Sequence, residues 1–156
     1  MSQSIAYFDQ HIGNLYKTKL NKLLFYADFL AYQQYGYSIT GLQYRAIQYG
    51  PVPAEYERLY LRLQDDKRVI IEERNGKDDQ YVEVYHPNTP FDESEFAEEE
   101  LYILGSVVQL FSRKRTSDIV RLSHEETAWK ENEGGRKLIN YQRYGFEVGA
   151  SLSLFD

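Results

Sequence analysis

Few side chains in this sequence could do chemistry, and their spacing does not suit it. The chain of 156 residues has three histidines, His11, His86 and His124, and no cysteine. Zero cysteine excludes a thiol nucleophile, an iron–sulfur cluster, a disulfide framework and a Cys-type zinc site. Three scattered histidines are little material for a His-based metal centre, so neither metal nor cofactor is expected. His124-Glu125-Glu126 begins like the HExxH helix of zinc proteases. That motif needs a second imidazole one helical turn on, so that both rings reach one ion. Position 128 is alanine, and the comparison fails. His124 therefore reads as a structural or partner-contacting side chain. Asp28 is the second candidate. It stands among Leu23, Leu24, Phe25, Tyr26, Phe29 and Leu30, where a carboxylate must be hydrogen-bonded to tolerate burial. Pairing with a tyrosine or a loop N–H is its expected role. Gly134-Gly135-Arg136-Lys137 is too short for a phosphate cradle and reads as a turn. The sequence contains no GxSxG elbow, P-loop or GxGxxG. No acid–base pair has a recognisable spacing, so no catalytic residue is assigned and a non-enzyme is expected.

Composition points toward binding. The chain has 15 tyrosines and a net charge of −6. Tyrosine combines a large apolar ring with a polar tip and is enriched where proteins meet partners. The acidic balance argues against broad binding to a nucleic acid backbone, which needs surplus Lys and Arg. Leu, Ile, Val and Phe are frequent enough to build a compact core at this length. The N-terminus lacks the basic start and apolar run of a secretory signal. The longest mostly apolar stretch, Leu101 to Phe111, is too short for a bilayer span of about 20 residues. A cytoplasmic protein is expected.

The elements that must position these residues are mainly helical. Residues 14–35 predict a long helix with Leu20, Leu23, Leu24, Ala27, Leu30 and Ala31 on its buried face. Asn14 suits its N-cap and Gly36 its stop. Lys17, Lys19 and Lys22 read as solvated. Residues 38–49 predict a strand or extended segment. Gly50-Pro51-Val52-Pro53 is expected to break all regular structure, because proline fixes its own backbone and restricts its predecessor. A helix over 54–64 would bury Tyr56, Leu59, Tyr60 and Leu63. Residues 68–85 predict a hairpin turning near Asn75-Gly76. Residues 92–111 predict a second long helix with acids at its start and Arg113, Lys114 and Arg115 at its end, as the helix dipole favours. Its buried stripe would be Leu101, Leu104, Val108 and Phe111. A short helix capped by Thr116 or Ser117 follows. Ser123 and Glu126 have capping-box spacing and predict another helix carrying Ala128 and Trp129, ended by Gly134-Gly135.

Three runs in this order resemble one family. Lys19-Leu20-Asn21-Lys22-Leu23-Leu24-Phe25-Tyr26-Ala27-Asp28 comes first. Ser38-Ile39-Thr40-Gly41-Leu42-Gln43-Tyr44 and Tyr49-Gly50-Pro51-Val52-Pro53 follow. Together they look like the Panacea domain, the SocA-like antitoxin domain of bacterial and phage toxin–antitoxin systems. The later run Leu122-Ser123-His124-Glu125-Glu126-Thr127-Ala128-Trp129 is similar to that family's C-terminal helix. The resemblance covers roughly residues 14–141. It implies an antitoxin that neutralises a cognate toxin by protein–protein contact. Some family members carry a helix-turn-helix domain, for which the stretch ahead of residue 14 leaves no room, so direct nucleic-acid binding is not expected.

The expected fold is α+β: one mainly helical domain with a small antiparallel sheet or hairpin. Residues 1–13 form an N-terminal segment, 14–141 the Panacea-like domain and 142–156 a C-terminal tail. The expected partner-binding residues are Asp28, Tyr32, Tyr44, Tyr49, Pro51, Tyr56, His124 and Trp129. Tyr35, Tyr37 and Tyr60 are further contact tyrosines in the same region. Rigid tyrosines give contact area at low entropic cost, and a net acidic chain suits a basic toxin surface. The alternatives are an adaptor that delivers a bound protein to a cytoplasmic protease, which would need an accessible tail after Gly149, and a small hydrolase using His124, Asp28 or the nearby tyrosines. A homodimer is also compatible with exposed aromatic patches.

Overall fold

The computed structural model describes residues 1–149 and residue 152. Its centre is one helix, α2 (Lys17–Tyr35), in which every residue from Lys19 to Ala31 is buried. A helix that is apolar nearly all round has no solvent face and must be wrapped by other elements. Helices α4 (Glu98–Phe111) and α5 (Thr116–His124) and strand β3 (Gly50–Pro53) pack directly on it. Gly36 closes α2 in the left-handed conformation, φ 85°, where a side chain would be strained. The start of α2 differs from expectation. Leu15–Tyr16 form a short strand β1, paired antiparallel with Tyr85 and Val84 of β5 (Tyr81–Pro87). That pairing keeps the two residues extended, so the helix begins at Lys17 and Asn14 is not its cap.

The architecture is mainly helical α+β, with two small antiparallel sheets around this centre. The first sheet has the order β1-β5-β4, with β4 (Val69–Asn75) and β5 forming the expected hairpin. The second pairs β2 (Tyr44–Ile47) with β3. The Gly-Pro-Val-Pro run is therefore a strand, not a break. Ala54 N donates to Gln43 O at 2.8 Å, which sets the hydrogen-bonded pairs at Arg45–Val52 and Ile47–Gly50. Pro51 and Pro53 fall at the alternate positions, where no ladder N–H is needed. The other side of β2 is also satisfied: Ala46 N donates to Lys137 O, and Ile139 N donates to Tyr44 O.

The peripheral helices fit around this centre with shifted boundaries. Residues 1–13 hold α1 (Ser2–His11), whose Ile5 and Phe8 join the same buried cluster as Leu24 and Phe29. Helix α3 (Tyr56–Asp65) buries Tyr60 and Leu63 but leaves Tyr56 and Leu59 half-buried. The expected helix over 92–111 is divided. Asp92 caps a 3-10 turn at Glu93–Glu95, and α4 starts only at Glu98. Its buried stripe is Ile103, Leu104, Val107 and Phe111. No helix starts at Ser123. Helix α5 runs through it, its hydroxyl donates to Val120 O at 2.7 Å, and α6 (Thr127–Lys130) begins after an extended Glu126. A serine hydroxyl bonded back into its own helix cannot cap a following one. The chain then passes through α7 (Tyr141–Tyr144), and Val148 is buried against the body. No helix among the described residues is long and apolar enough to cross a membrane.

Candidate partner-binding site

The hairpin β2–β3 turns at Gln48 and Tyr49, and Tyr49 stands 61% exposed at its tip. Three groups fix that tip from behind. Trp129 Nε1 donates to Ile47 O at 2.7 Å. Lys22 Nζ donates to Pro51 O at 3.0 Å. Gly50 (φ 105°) lies against α2 and α5 so closely that a Cβ there would sit 2.5 Å from Ser123 Oγ and 2.6 Å from Lys22 Cε. Only glycine allows both that backbone conformation and that approach. The His124 ring stacks on Trp129, with centroids 4.1 Å apart and planes at 21°. Tyr49, Pro51, His124 and Trp129, far apart in sequence, are thus brought to one corner of the molecule. His124 Nε2 is buried and has no hydrogen-bond partner among the described residues.

Lys22 is the unexpected member of this corner. Its side chain is fully buried, and burial lowers its pKa to about 7. An ammonium in an apolar setting with one carbonyl partner loses most of its hydration, so the neutral amine becomes competitive. Lys19 is also buried, and its ammonium reaches Lys114 O at 3.3 Å. The expectation that these two lysines are solvated is therefore corrected. They stand on a helix with no solvent face over its middle.

Asp28 works as a clamp. It is fully buried and accepts from Ile39 N (2.9 Å), Thr40 N (2.8 Å), the Thr40 hydroxyl and the Tyr44 hydroxyl (2.6 Å). Burial pushes its pKa up, while the four donors pull it down. The clamp fixes the 36–43 loop to α2 and so sets where β2 begins. Asp28 and Tyr44 have no exposed surface. Tyr60 is buried too, and its hydroxyl donates to Asn21 Oδ1 at 2.5 Å. Tyr56 is half-buried beside Tyr60, with Lys17 Nζ 5.9 Å from its ring centroid. Tyr32 is half-buried and contacts Tyr141 and Phe146. Tyr35 and Tyr37 are exposed, and the Tyr37 hydroxyl donates to Glu99 Oε1 at 3.1 Å. The tyrosines between 32 and 60 thus divide into exposed ones (Tyr35, Tyr37, Tyr49), half-buried ones (Tyr32, Tyr56) and anchors of the interior (Tyr44, Tyr60).

Sequence reasoning missed three members of the arrangement: Lys22, Ser123 and Glu126. The signal for Lys22 was present, because Leu20, Leu23, Leu24, Phe25 and Phe29 leave that helix no polar face. Glu126 is 5% exposed and accepts from the Tyr26 hydroxyl at 3.1 Å and from Gly149 N. Its pairing across 100 residues has no local signature. Among the described residues, no group of three His, Asp or Glu could hold a metal ion.

A family model described as antitoxin SocA-like, Panacea domain, matches residues 20–130. The matched stretch opens in α2, includes the β2–β3 hairpin and ends with α6, so it contains every residue that builds the Tyr49 corner. No curated protein and no solved structure matches the chain.

Proposed function

Because the chain belongs to the SocA-like antitoxin family defined by the Panacea domain, we propose that it acts in the cytoplasm as a non-enzymatic antitoxin, binding a cognate toxin by direct protein–protein contact. The observation that carries this reading is the braced hairpin tip. An exposed tyrosine on a turn whose two flanks are fixed by Trp129 and Lys22 is a preorganised contact, and preorganisation lowers the entropic cost of association. The proposed contact residues are Tyr49 and the exposed edges of His124 and Trp129, with Tyr35, Tyr37 and Tyr32 as a second aromatic group. Asp28, Tyr44 and Pro51 would act indirectly, by holding the hairpin. Asp28 has both carboxylate oxygens occupied by loop and tyrosine donors, which supports a holding role over a base.

The test is co-expression with the product of the adjacent gene. Growth rescue and co-purification are expected. Failure of both would reject the reading for that pair. Tyr49→Ala should weaken capture at least tenfold while leaving the melting temperature unchanged, since its ring is mostly in water.

A further inference from the structure

Strand β4 leaves one edge of its sheet open. The sheet order is β1-β5-β4, so β5 is the only strand neighbour of β4 among the described residues. Asn88 N donates to Arg68 O at 2.9 Å and Gly76 N donates to Gln80 O at 2.6 Å, just beyond the two ends of the ladder. Those bonds set the hydrogen-bonded positions of β4 at its even-numbered residues. The N–H and C=O groups of Ile71 and Glu73 therefore point away from β5, and among the described residues they have no hydrogen-bond partner. β4 contains no proline, and its register with β5 is unbroken, so neither proline nor a bulge blunts this edge.

The side chains beside the edge differ between the two faces. Ile71 and Glu73 share one face with Tyr85 and Glu83, their partners on β5, because paired residues point the same way. Glu73 thus lies directly opposite Glu83, and like charges so placed weaken a sheet. Glu83 is compensated by Lys17 Nζ at 3.4 Å and accepts from the Tyr85 hydroxyl at 2.7 Å. Glu73 is exposed and has no ion-pair or hydrogen-bond partner among the described residues. Glu57 and Leu61 of α3 border a groove on this face together with Ile71 and Glu83. On the opposite face Glu72 is held by Arg74 at 2.9 Å and by His86 at 2.7 Å, and Ile70 stands 51% exposed. One side of the edge carries an uncompensated carboxylate, and the other carries an exposed isoleucine.

We infer that the β4 edge takes an extended segment of a partner protein as a further strand, and that this segment alternates basic and apolar residues. The segment's backbone completes the ladder at Ile71 and Glu73. Its basic side chains meet Glu73, and its apolar ones cover Ile70. A second copy of this chain does not suit the same edge. Antiparallel two-fold pairings centred on Ile71, Glu72 or Glu73 place Glu73 opposite Val69, Ile71 or itself, so none supplies a cation, and each copy brings a net charge of −6. A lone carboxylate discourages self-pairing while admitting a basic strand. The edge belongs to a different sheet from the Tyr49 hairpin, so the inference stands whether or not the partner is a toxin.

The probe is a blocked seven-residue peptide, matched to β4 in length, that alternates lysine and valine. An NMR titration reads its affinity, and amide exchange reads the edge. Binding is expected, with slowed exchange at the Ile71 and Glu73 N–H groups. A glutamate–valine peptide of the same length should bind about tenfold more weakly or worse, and Glu73→Lys should remove that preference. Backbone N-methylation separates a ladder from simple charge attraction. In the added strand the lysine N–H groups point at β4 and the valine N–H groups point away. Methylating the lysine nitrogens should abolish binding, and methylating the valine nitrogens should preserve it. Equal affinity of the two methylated peptides, unchanged exchange at Ile71 and Glu73, or a charge preference that survives Glu73→Lys overturns the inference. So does sedimentation that finds the parent chain dimeric with these two amides already protected.

Discussion

At the residue scale, two buried groups carry most of the information. Lys22 is an amine in the core with a single carbonyl partner, and its stability effect has a definite sign. Its folded pKa of about 7 lies below the ordinary 10.5, so the folded state binds fewer protons than the unfolded one between those values. Stability therefore rises with pH from 7 upward and falls as pH drops toward 7. Replacing Lys22 with methionine, of similar volume and without charge, should flatten that rise. Urea titrations of both proteins at pH 7 and 9 would show it. Gly50 is the other sensitive residue. Gly50→Ala must place a methyl group against Ser123 and Lys22 in a left-handed backbone, and a loss of about 2–4 kcal/mol is expected. A denaturation midpoint equal to that of the parent would show that the corner can yield.

At the element scale, the β2–β3 hairpin depends on supports from outside itself. A two-stranded ribbon is marginal in isolation, and of the four residue pairs in this one only Arg45–Val52 and Ile47–Gly50 are at hydrogen-bonded positions. Trp129 supplies a bond from α6, and the Asp28 clamp fixes the incoming loop. Trp129→Phe keeps the ring packing and removes the N–H donor to Ile47 O. It should cost about 1–2 kcal/mol, with faster hydrogen exchange concentrated in residues 44–53. Exchange that accelerates uniformly across the chain would contradict a local bracing role. Asp28→Ala leaves two loop N–H groups and the Tyr44 hydroxyl without their acceptor. It should destabilise the fold by about 3 kcal/mol or more, and weaken partner capture through the displaced hairpin.

At the scale of the whole molecule, the two perturbed groups act in opposite directions on one stability curve. The folded pKa of Glu126 is raised, so its contribution is complete below 4.5 and is lost as pH rises through 7. Lys22 restores stability above 7. Together they predict a shallow minimum near neutral pH, with flanks of order 3 kcal/mol on each side. The alkaline flank ends near pH 10, because Tyr26 and Tyr44 are buried with raised pKa values and must not ionise. Melting temperatures from pH 5 to 9.5 would trace the curve. The combined Glu126→Gln and Lys22→Met variant should remove the minimum, and a minimum that persisted would assign it to other groups.

Local pattern was sufficient for part of this protein. The apolar spacing of residues 20–31, the Gly36 stop, the β4–β5 hairpin and the acidic start of α4 are all visible in neighbouring residues, because each depends on contacts within a few positions along the chain. The ordered runs around Asp28, Gly50-Pro51 and His124–Trp129 likewise carried the family membership. Other features depended on distant partners. Asn14 and Ser123 have good capping chemistry, yet β1 pairs with β5 and Ser123 bonds into α5, so neither caps a helix. Gly50-Pro51-Val52-Pro53 has the composition of a break, but its prolines meet β2 only at positions that need no N–H. Lys22 reads as solvated if its own charge is weighed before the apolar run around it, and Glu126 reads as a helix-capping partner until Tyr26 and Gly149 close over it. Sequence alone determined which segments are amphipathic and which family the chain joins. The tertiary structure decided which charges are buried, which tyrosines are exposed and how residues 141–149 are held, because desolvation and hydrogen bonds between distant segments exist only once those segments meet.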